Sequence, residues 1–328
     1  MRTRDYGDAP ADCRPSVSYH AAPWERTWRA NISALARAEI SWDVGCREIL
    51  KDRTRIDEWL RASDAMDGGP SSWSPQTFSY HAVKTCTGER FKVPIEPLTG
   101  LLRHPLFHCL RFVGWRPPDP HQHLQDRQLI FNTSYLLPTW RSEAQTLQQQ
   151  PVRSALFFDC GASTWSVGAH FSSQRWFYET YSRRGITFDR IFAWEARTIP
   201  PAQIFNTTMP ESVVDAISYY NVPLSPTVGH LRNPLRTLQA VARREDFVVL
   251  KIDFDSPNIE HALIEQILAS PTLTSLVDEL YFEQHVYDSP LNFYRWATKV
   301  RRNQAHLSDS YELFTRLRHA GIRAHSWI

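Results

Sequence analysis

Between Ala155 and Glu195 one apolar run ends in Asp159-Cys160-Gly161-Ala162-Ser163, and a second ends in Trp194-Glu195. The segment between them reads as a helix over 172–184. Strand, glycine turn, helix and strand form a unit that commits a chain to a parallel sheet covered by helices. The glycine is informative because the chain spends only 12 glycines in 328 residues, against an average usage of about 7%.

The alternation continues downstream. Strands are expected at 221–224, 247–254, 277–285 and 322–327, and helices at 211–219, 235–244, 259–268 and 308–320. This pattern predicts an α/β fold, a doubly wound and mostly parallel sheet whose ligands bind at the carboxyl ends of the strands, beside the switch in strand order.

The first half of the chain reads differently. Residues 1–23 are polar and contain proline, as a mobile tail does. From Trp24 to Ser63 apolar residues recur at helical spacing (Trp28, Ile32, Leu35, then Ile49, Ile56, Trp59, Leu60) without proline, which predicts two or more amphipathic helices. Asp67-Gly-Gly-Pro-Ser-Ser-Trp-Ser-Pro75 is a breaker cluster, and proline punctuates the chain from there to about residue 150, so irregular structure packed on a neighbour is expected. The division is therefore 1–74, a tail and helices; 75–150, a Pro- and Trp-rich irregular region; and 151–328, the sheet domain. Trp24, Trp28, Trp42, Trp59, Trp73, Trp115 and Trp140 read as packing anchors. His104, His108, His121 and His123 fit no metal-ligand spacing and read as a solvated loop.

The net charge of +2, from 37 basic and 35 acidic residues, gives no electrostatic grip on nucleic acid or an anionic membrane. No apolar run approaches about 18 residues, and the N-terminus lacks a signal-peptide core, so a soluble, cytoplasmic protein is expected. The five cysteines (Cys13, Cys46, Cys86, Cys109, Cys160) are odd in number and lack a CxxC spacing. That argues against a zinc site and a fully paired disulfide framework, and fits a reducing compartment. The triplets at Asn31, Asn132 and Asn206 match the N-glycosylation pattern but carry no meaning without a secretory route.

Chemistry concentrates at the expected strand ends. Gly161 lets the backbone turn tightly and approach a ligand, while the helix that follows offers free N–H groups. Glu195 ends the next strand, where a carboxylate accepts hydrogen bonds from both hydroxyls of a ribose; otherwise it is a solvated acid or a helix cap. In Lys251-Ile-Asp253-Phe-Asp255 the two aspartates would share one face of a strand, and two close carboxylates bind a cation or share a proton. A simpler role has Asp255 capping the next helix and Lys251 pairing with an acid. In Glu279-Leu-Tyr-Phe-Glu283-Gln-His285, the acids and His285 would lie near the aspartates as a hard metal site or a base. Ala324-His325-Ser326-Trp327 closes a strand and reads as packing.

Taken together, Phe157-Phe-Asp-Cys-Gly-Ala-Ser163, Ile191-Phe-Ala-Trp-Glu195 and the run from Asp246 to Glu260 resemble, in diverged form, the FkbM-type methyltransferases, a branch of the Rossmann-like enzymes that use S-adenosylmethionine. The resemblance covers roughly residues 151–328. It implies a Rossmann-like domain in which Asp159, Gly161 and Ser163 lie against the cofactor, Glu195 holds its ribose and Asp253 sits near it. It also implies oxygen methylation of a small-molecule or sugar acceptor. Asp255 or His285 would then be the proton acceptor or a cation ligand, and no dedicated metal site is assigned. Ser256 stands where the family has a glycine, and Pro257-Asn258-Ile259 lengthens the turn. Two other classes remain open: a non-catalytic scaffold, and a nucleotide-sugar glycosyltransferase holding its metal on Asp253-Phe-Asp255.

Overall fold

The computed structural model describes residues 15–37, 42–66, 72–100, 102–106, 131–165, 173–205, 208–286 and 305–327. Three antiparallel strands, β1 (Ser16–His20), β2 (Ser79–Lys84) and β3 (Arg90–Ile95), make a small sheet in that order. Six more, β4 (Ala155–Cys160), β5 (Arg190–Trp194), β6 (Ile217–Tyr220), β7 (Phe247–Ile252), β8 (Glu279–Phe282) and β9 (Arg323–Ser326), form a larger sheet in the order β6-β5-β4-β7-β8-β9. Every pairing in the larger sheet is parallel.

The helices are α1 (Pro23–Arg37), α2 (Trp42–Lys51), α3 (Arg53–Met66), α4 (Arg141–Gln148), α5 (Ser173–Arg183), α6 (Pro201–Ile204), α7 (Glu211–Ala216), α8 (Pro234–Val241), α9 (Pro257–Ala269), α10 (Pro271–Thr274) and α11 (Leu307–His319). The fold is the doubly wound, Rossmann-like α/β architecture expected from the strand–helix alternation.

Central strands β4 and β7 are buried along their whole length. Both faces are covered by helices, so their sequences are nearly continuous apolar runs rather than alternating ones. Each carries one polar residue inside, Asp159 and Lys251, and the register sets these two side by side. From β4 the chain steps outward to β5 and β6, then returns to β7 and steps the other way to β8 and β9. The reversal lies between β4 and β7, which makes the carboxyl ends of those strands the ligand-binding crevice of this topology.

Several boundaries differ from the sequence expectation for local reasons. The strand expected at 221–224 is instead Ile217–Tyr220, because helix α7 stops at Ala216 and the β-prone Ile-Ser-Tyr-Tyr pairs with β5. Strands β1, β2 and β3 occupy stretches read as tail and as irregular structure. Gly88, at φ +87°, serves the turn between β2 and β3, and Pro94 is tolerated because β3 is an edge strand.

Of the tryptophans, Trp24, Trp28 and Trp59 are buried packing anchors. His104 is buried, not solvated, and its ring packs edge-on against Tyr135; His108, His121 and His123 lie outside the described residues. Cys86 is disulfide-bonded, its partner sulfur is not among the described side chains, and Cys160 is a buried free thiol. A bridge at Cys86 runs against the expectation of reduced thiols, since disulfides form and persist in oxidising surroundings.

The two sheets are held together by a buried polar network. His325 on β9 contacts Glu96 with Nδ1 at 2.9 Å and Glu279 with Nε2 at 3.0 Å. Glu279 also accepts from Thr139 N at 2.9 Å, Tyr181 Oη at 2.5 Å and Arg323 Nε at 3.3 Å. Arg318 donates to Glu96 Oε1 at 2.9 Å and to the Ala324 carbonyl at 2.9 Å. Arg323 reaches the carbonyls of Pro94 and Leu137. Burial alone would lower the pKa of His325; Glu96 and Glu279 outweigh it and raise that pKa, so both ring nitrogens donate. Burial alone would raise the pKa of Glu279, but His325 and Arg323 bring it down to about 2. His81, buried and next to Arg323, is held down to about 3 and donates Nε2–H to the Arg318 carbonyl.

These shifts fix a direction for acid stability. Glu279 and His81 both have folded values below their ordinary ones of 4.5 and 6.5. Their stabilisation is therefore complete above the ordinary values and is lost as pH falls toward about 2 and about 3. His325 has the opposite sign, since its contribution is complete below 6.5 and is lost only as pH rises through its raised value. Acidification from about pH 6.5 removes the His81 and Glu279 contributions, each tenfold change in proton affinity being worth roughly 1.4 kcal/mol. Asp253 and Asp278, raised to about 7 by burial, add stability over the same range, so the His81 contribution is read as the stability that the wild type loses beyond His81→Gln on acidification. Urea midpoints of wild type and His81→Gln that change in parallel with pH would contradict this account.

Candidate functional site

The carboxyl ends of β4, β5, β7 and β8 are level. Gly161 N and Ala162 N donate to the Trp194 carbonyl, Asp253 N to the Cys160 carbonyl, and Glu283 N to the Ile252 carbonyl. Glu195, Gly161, Asp253 and Glu283 thus stand in a row along the edge of the sheet. The sequence pattern places its site residues on this edge.

Gly161 has φ +94°, and a Cβ built there would lie 1.7 Å from the Asp253 carbonyl oxygen and 3.0 Å from Phe254 Cα. The close approach this glycine permits is to the chain's own backbone beyond β7. Beneath the turn, the Lys251 ammonium lies 3.2 Å from Asp159 Oδ1, 3.1 Å from the Gly161 carbonyl and 3.3 Å from Asp253 Oδ2. Burial favours a neutral amine there, but Asp159 and Asp253 reverse that and raise its pKa. Burial also raises the pKa of Asp159, against the pull of Lys251. This buried charge cluster ties the ends of β4 and β7 together.

Glu195 follows β5. Its Oε2 accepts from Ser163 N at 3.1 Å and its Oε1 from Arg197 N at 2.8 Å. The Arg197 guanidinium reaches both oxygens at 3.3 Å and Ser163 Oγ at 3.1 Å, while remaining 72% exposed. Burial raises the Glu195 pKa, but the hydrogen bonds from Arg197 and Ser163 outweigh it and leave the group ionised below the ordinary range. Tyr219 on β6 donates to the Ser163 carbonyl at 2.6 Å, which fixes Ser163 at its positive φ of 50°. Ser163 and Glu195 are therefore in contact, and Arg197 and Tyr219 complete the arrangement.

Strand β7 ends at Ile252, so Asp253 and Asp255 lie beyond it and point to different partners. Asp253 Oδ2 takes Trp327 Nε1 at 3.2 Å as well as Lys251. Burial raises its pKa, Lys251 opposes this, and Glu283 beside it adds to the rise. Asp255, at φ +61°, turns toward His285, with Oδ1 3.5 Å from Nε2. Glu283 Oε2 is 3.3 Å from the same nitrogen, and its Oε1 accepts from Arg103 Nη2 at 3.0 Å. Asp255 and His285 are thus brought together as expected. Glu279 is not part of this site, because it begins β8 and sits at the opposite end of that strand, inside the buried network.

The chain matches no known family model, no curated protein and no solved structure. Among the described residues, no helix is long and apolar enough to cross a membrane. Arg103, Arg197 and Tyr219 join the site without having stood out in the sequence, and Trp327, read as packing, donates to Asp253 there. Arg197 lies two residues after the strand-ending acid, which is the one local signal that could have found it.

Proposed function

We propose that this chain is an S-adenosylmethionine-dependent methyltransferase of the FkbM type, transferring a methyl group to oxygen on a small-molecule or sugar acceptor. What supports it is the level row of Glu195, the Gly161 turn and Asp253 at the point where strand order reverses, the place where such sheets bind nucleosides. Glu195 fits a ribose: an ionised carboxylate only accepts, and two vicinal hydroxyls are donors. Its backbone partners, Ser163 N and Arg197 N, would keep it oriented, while the exposed Arg197 side chain, on longer contacts, would give way. Asp159 and Asp253 would flank the cofactor with Lys251 holding the strand ends in place. The cofactor supplies an electrophilic methyl on sulfur. The protein then has only to align an acceptor oxygen with that methyl and have its proton removed, and Asp255 and His285 are the groups placed to accept that proton or to hold a cation beside it.

One observation favours a second reading, a non-catalytic scaffold of the same fold. Gly161 is filled by the chain's own Asp253 carbonyl, so it offers no open cradle, and Glu195 already has internal partners. Calorimetric titration with S-adenosylhomocysteine separates the two. The methyltransferase reading expects saturable binding that Glu195→Ala weakens ten- to a hundredfold, the equivalent of about 1.5–3 kcal/mol for hydrogen bonds to a charged group. Folded wild-type protein that takes up no ligand would favour the scaffold.

A further inference from the structure

Among the described residues, Asp255, Glu283 and His285 each place one ligand atom within 4.8 Å of the others. They come from the loops after two adjacent parallel strands, β7 and β8, at the same edge of the sheet as Glu195. His285 is the most telling of the three. Its side chain is 5% exposed, and Nε2 is buried without a hydrogen bond, although Asp255 Oδ1 lies 3.5 Å away and Glu283 Oε2 3.3 Å away. A buried polar atom left without a hydrogen bond costs about 1–3 kcal/mol. This imidazole nitrogen lies at ion-pair distance from two carboxylate oxygens and in hydrogen-bond geometry with neither, the position from which all three atoms could meet one cation.

We propose that Asp255, Glu283 and His285 bind a divalent first-row transition ion at the carboxyl ends of β7 and β8. Metal–ligand bonds of about 2.1 Å place neighbouring ligand atoms roughly 3.0–3.4 Å apart, close to the two separations at His285 Nε2. Glu283 is oriented for this by Arg103, which occupies Oε1 and leaves Oε2 toward His285. Asp255, 52% exposed on its loop, supplies the third side. The same exposure leaves the outer face of the ion open to solvent, as at sites that accept an outside ligand. One imidazole with two carboxylates suits Mn²⁺ through Zn²⁺, whereas Mg²⁺ prefers all-oxygen ligands. Asp253 is not in the set, being held by Lys251 and Trp327.

The test uses the full chain, stripped with a chelator and free of any cofactor, so its outcome is independent of S-adenosylmethionine binding. Mn²⁺ is titrated in and free Mn²⁺ is followed by electron paramagnetic resonance. One Mn²⁺ per chain is expected, displaced by Zn²⁺ but not by an equal concentration of Mg²⁺. Asp255→Asn and His285→Gln should each weaken binding at least tenfold. Asp255→Asn should keep the urea midpoint of the wild type, because that residue is half exposed. The proposal is overturned by wild-type protein that binds neither Mn²⁺ nor Zn²⁺ at millimolar concentration, by equal affinity in wild type and both variants, or by Mg²⁺ binding as tightly as Mn²⁺.

Discussion

Gly161→Ala is expected to destabilise the protein by about 2–5 kcal/mol. Two costs combine. A left-handed backbone burdens any residue with a Cβ by roughly 1–2 kcal/mol, and forcing an atom into a filled space adds about 1–3 kcal/mol. Here the new Cβ would meet the Asp253 carbonyl oxygen at 1.7 Å and its carbon at 2.7 Å. These are backbone atoms at the end of a buried central strand and cannot rotate out of the way. Gly88 isolates the first cost, since it has φ +87° and nothing within 4 Å of a built Cβ. Gly88→Ala should therefore lose only about 1–2 kcal/mol. Urea denaturation of both variants measures the difference, and a Gly161→Ala protein as stable as Gly88→Ala would mean that β4 and β7 do not pack as described. The variant also reports on the fold before it reports on any ligand, so Glu195 is the better probe of cofactor binding.

A comparable loss is expected from Glu279→Leu. The carboxylate is fully buried and serves Arg323, His325, Tyr181 and the Thr139 N–H together. Removing it leaves a guanidinium and an imidazolium facing an apolar side chain, and breaking a buried ion pair from one side costs about 3–5 kcal/mol. Much of that cost is the stranded partner charge. Adding Arg323→Met to Glu279→Leu should therefore cost less than the sum of the two single changes, with a coupling of roughly 1–3 kcal/mol. Strict additivity in the urea midpoints would show that the two groups do not depend on each other. The network joins Glu96 beyond β3 to β8 and β9, so its failure should loosen the small sheet from the large one.

The large sheet was legible because β4 and β7 are covered on both faces and read as unbroken apolar runs. The small sheet was not. In β2 the burial alternates, but its inward positions include Ser79 and His81, polar residues that satisfy themselves only through distant partners such as Glu25 and the Arg318 carbonyl. In β3 Pro94 argues against a strand until its edge position is known.

At the site, the strand-ending acids could be read from position alone. Asp253 and Asp255 do not share a face, because β7 stops at Ile252 and Asp255 takes a left-handed conformation. Glu279 was displaced for a similar reason: β8 is only Glu279–Phe282, so its first acid and its following acid sit at opposite ends. Arg103 and Trp327 reach the site across long sequence separations, and no local pattern announces such contacts.

The central claim, that a nucleoside cofactor sits on Glu195 beside the Gly161 turn, is met most directly by a crystal structure of the protein saturated with S-adenosylhomocysteine. The account predicts the ribose hydroxyls on the Glu195 carboxylate, the Arg197 guanidinium moved aside, and Ser163 N still donating to Glu195 Oε2. A structure at saturating ligand in which Arg197 still covers Glu195, with the ligand elsewhere or absent, would contradict it.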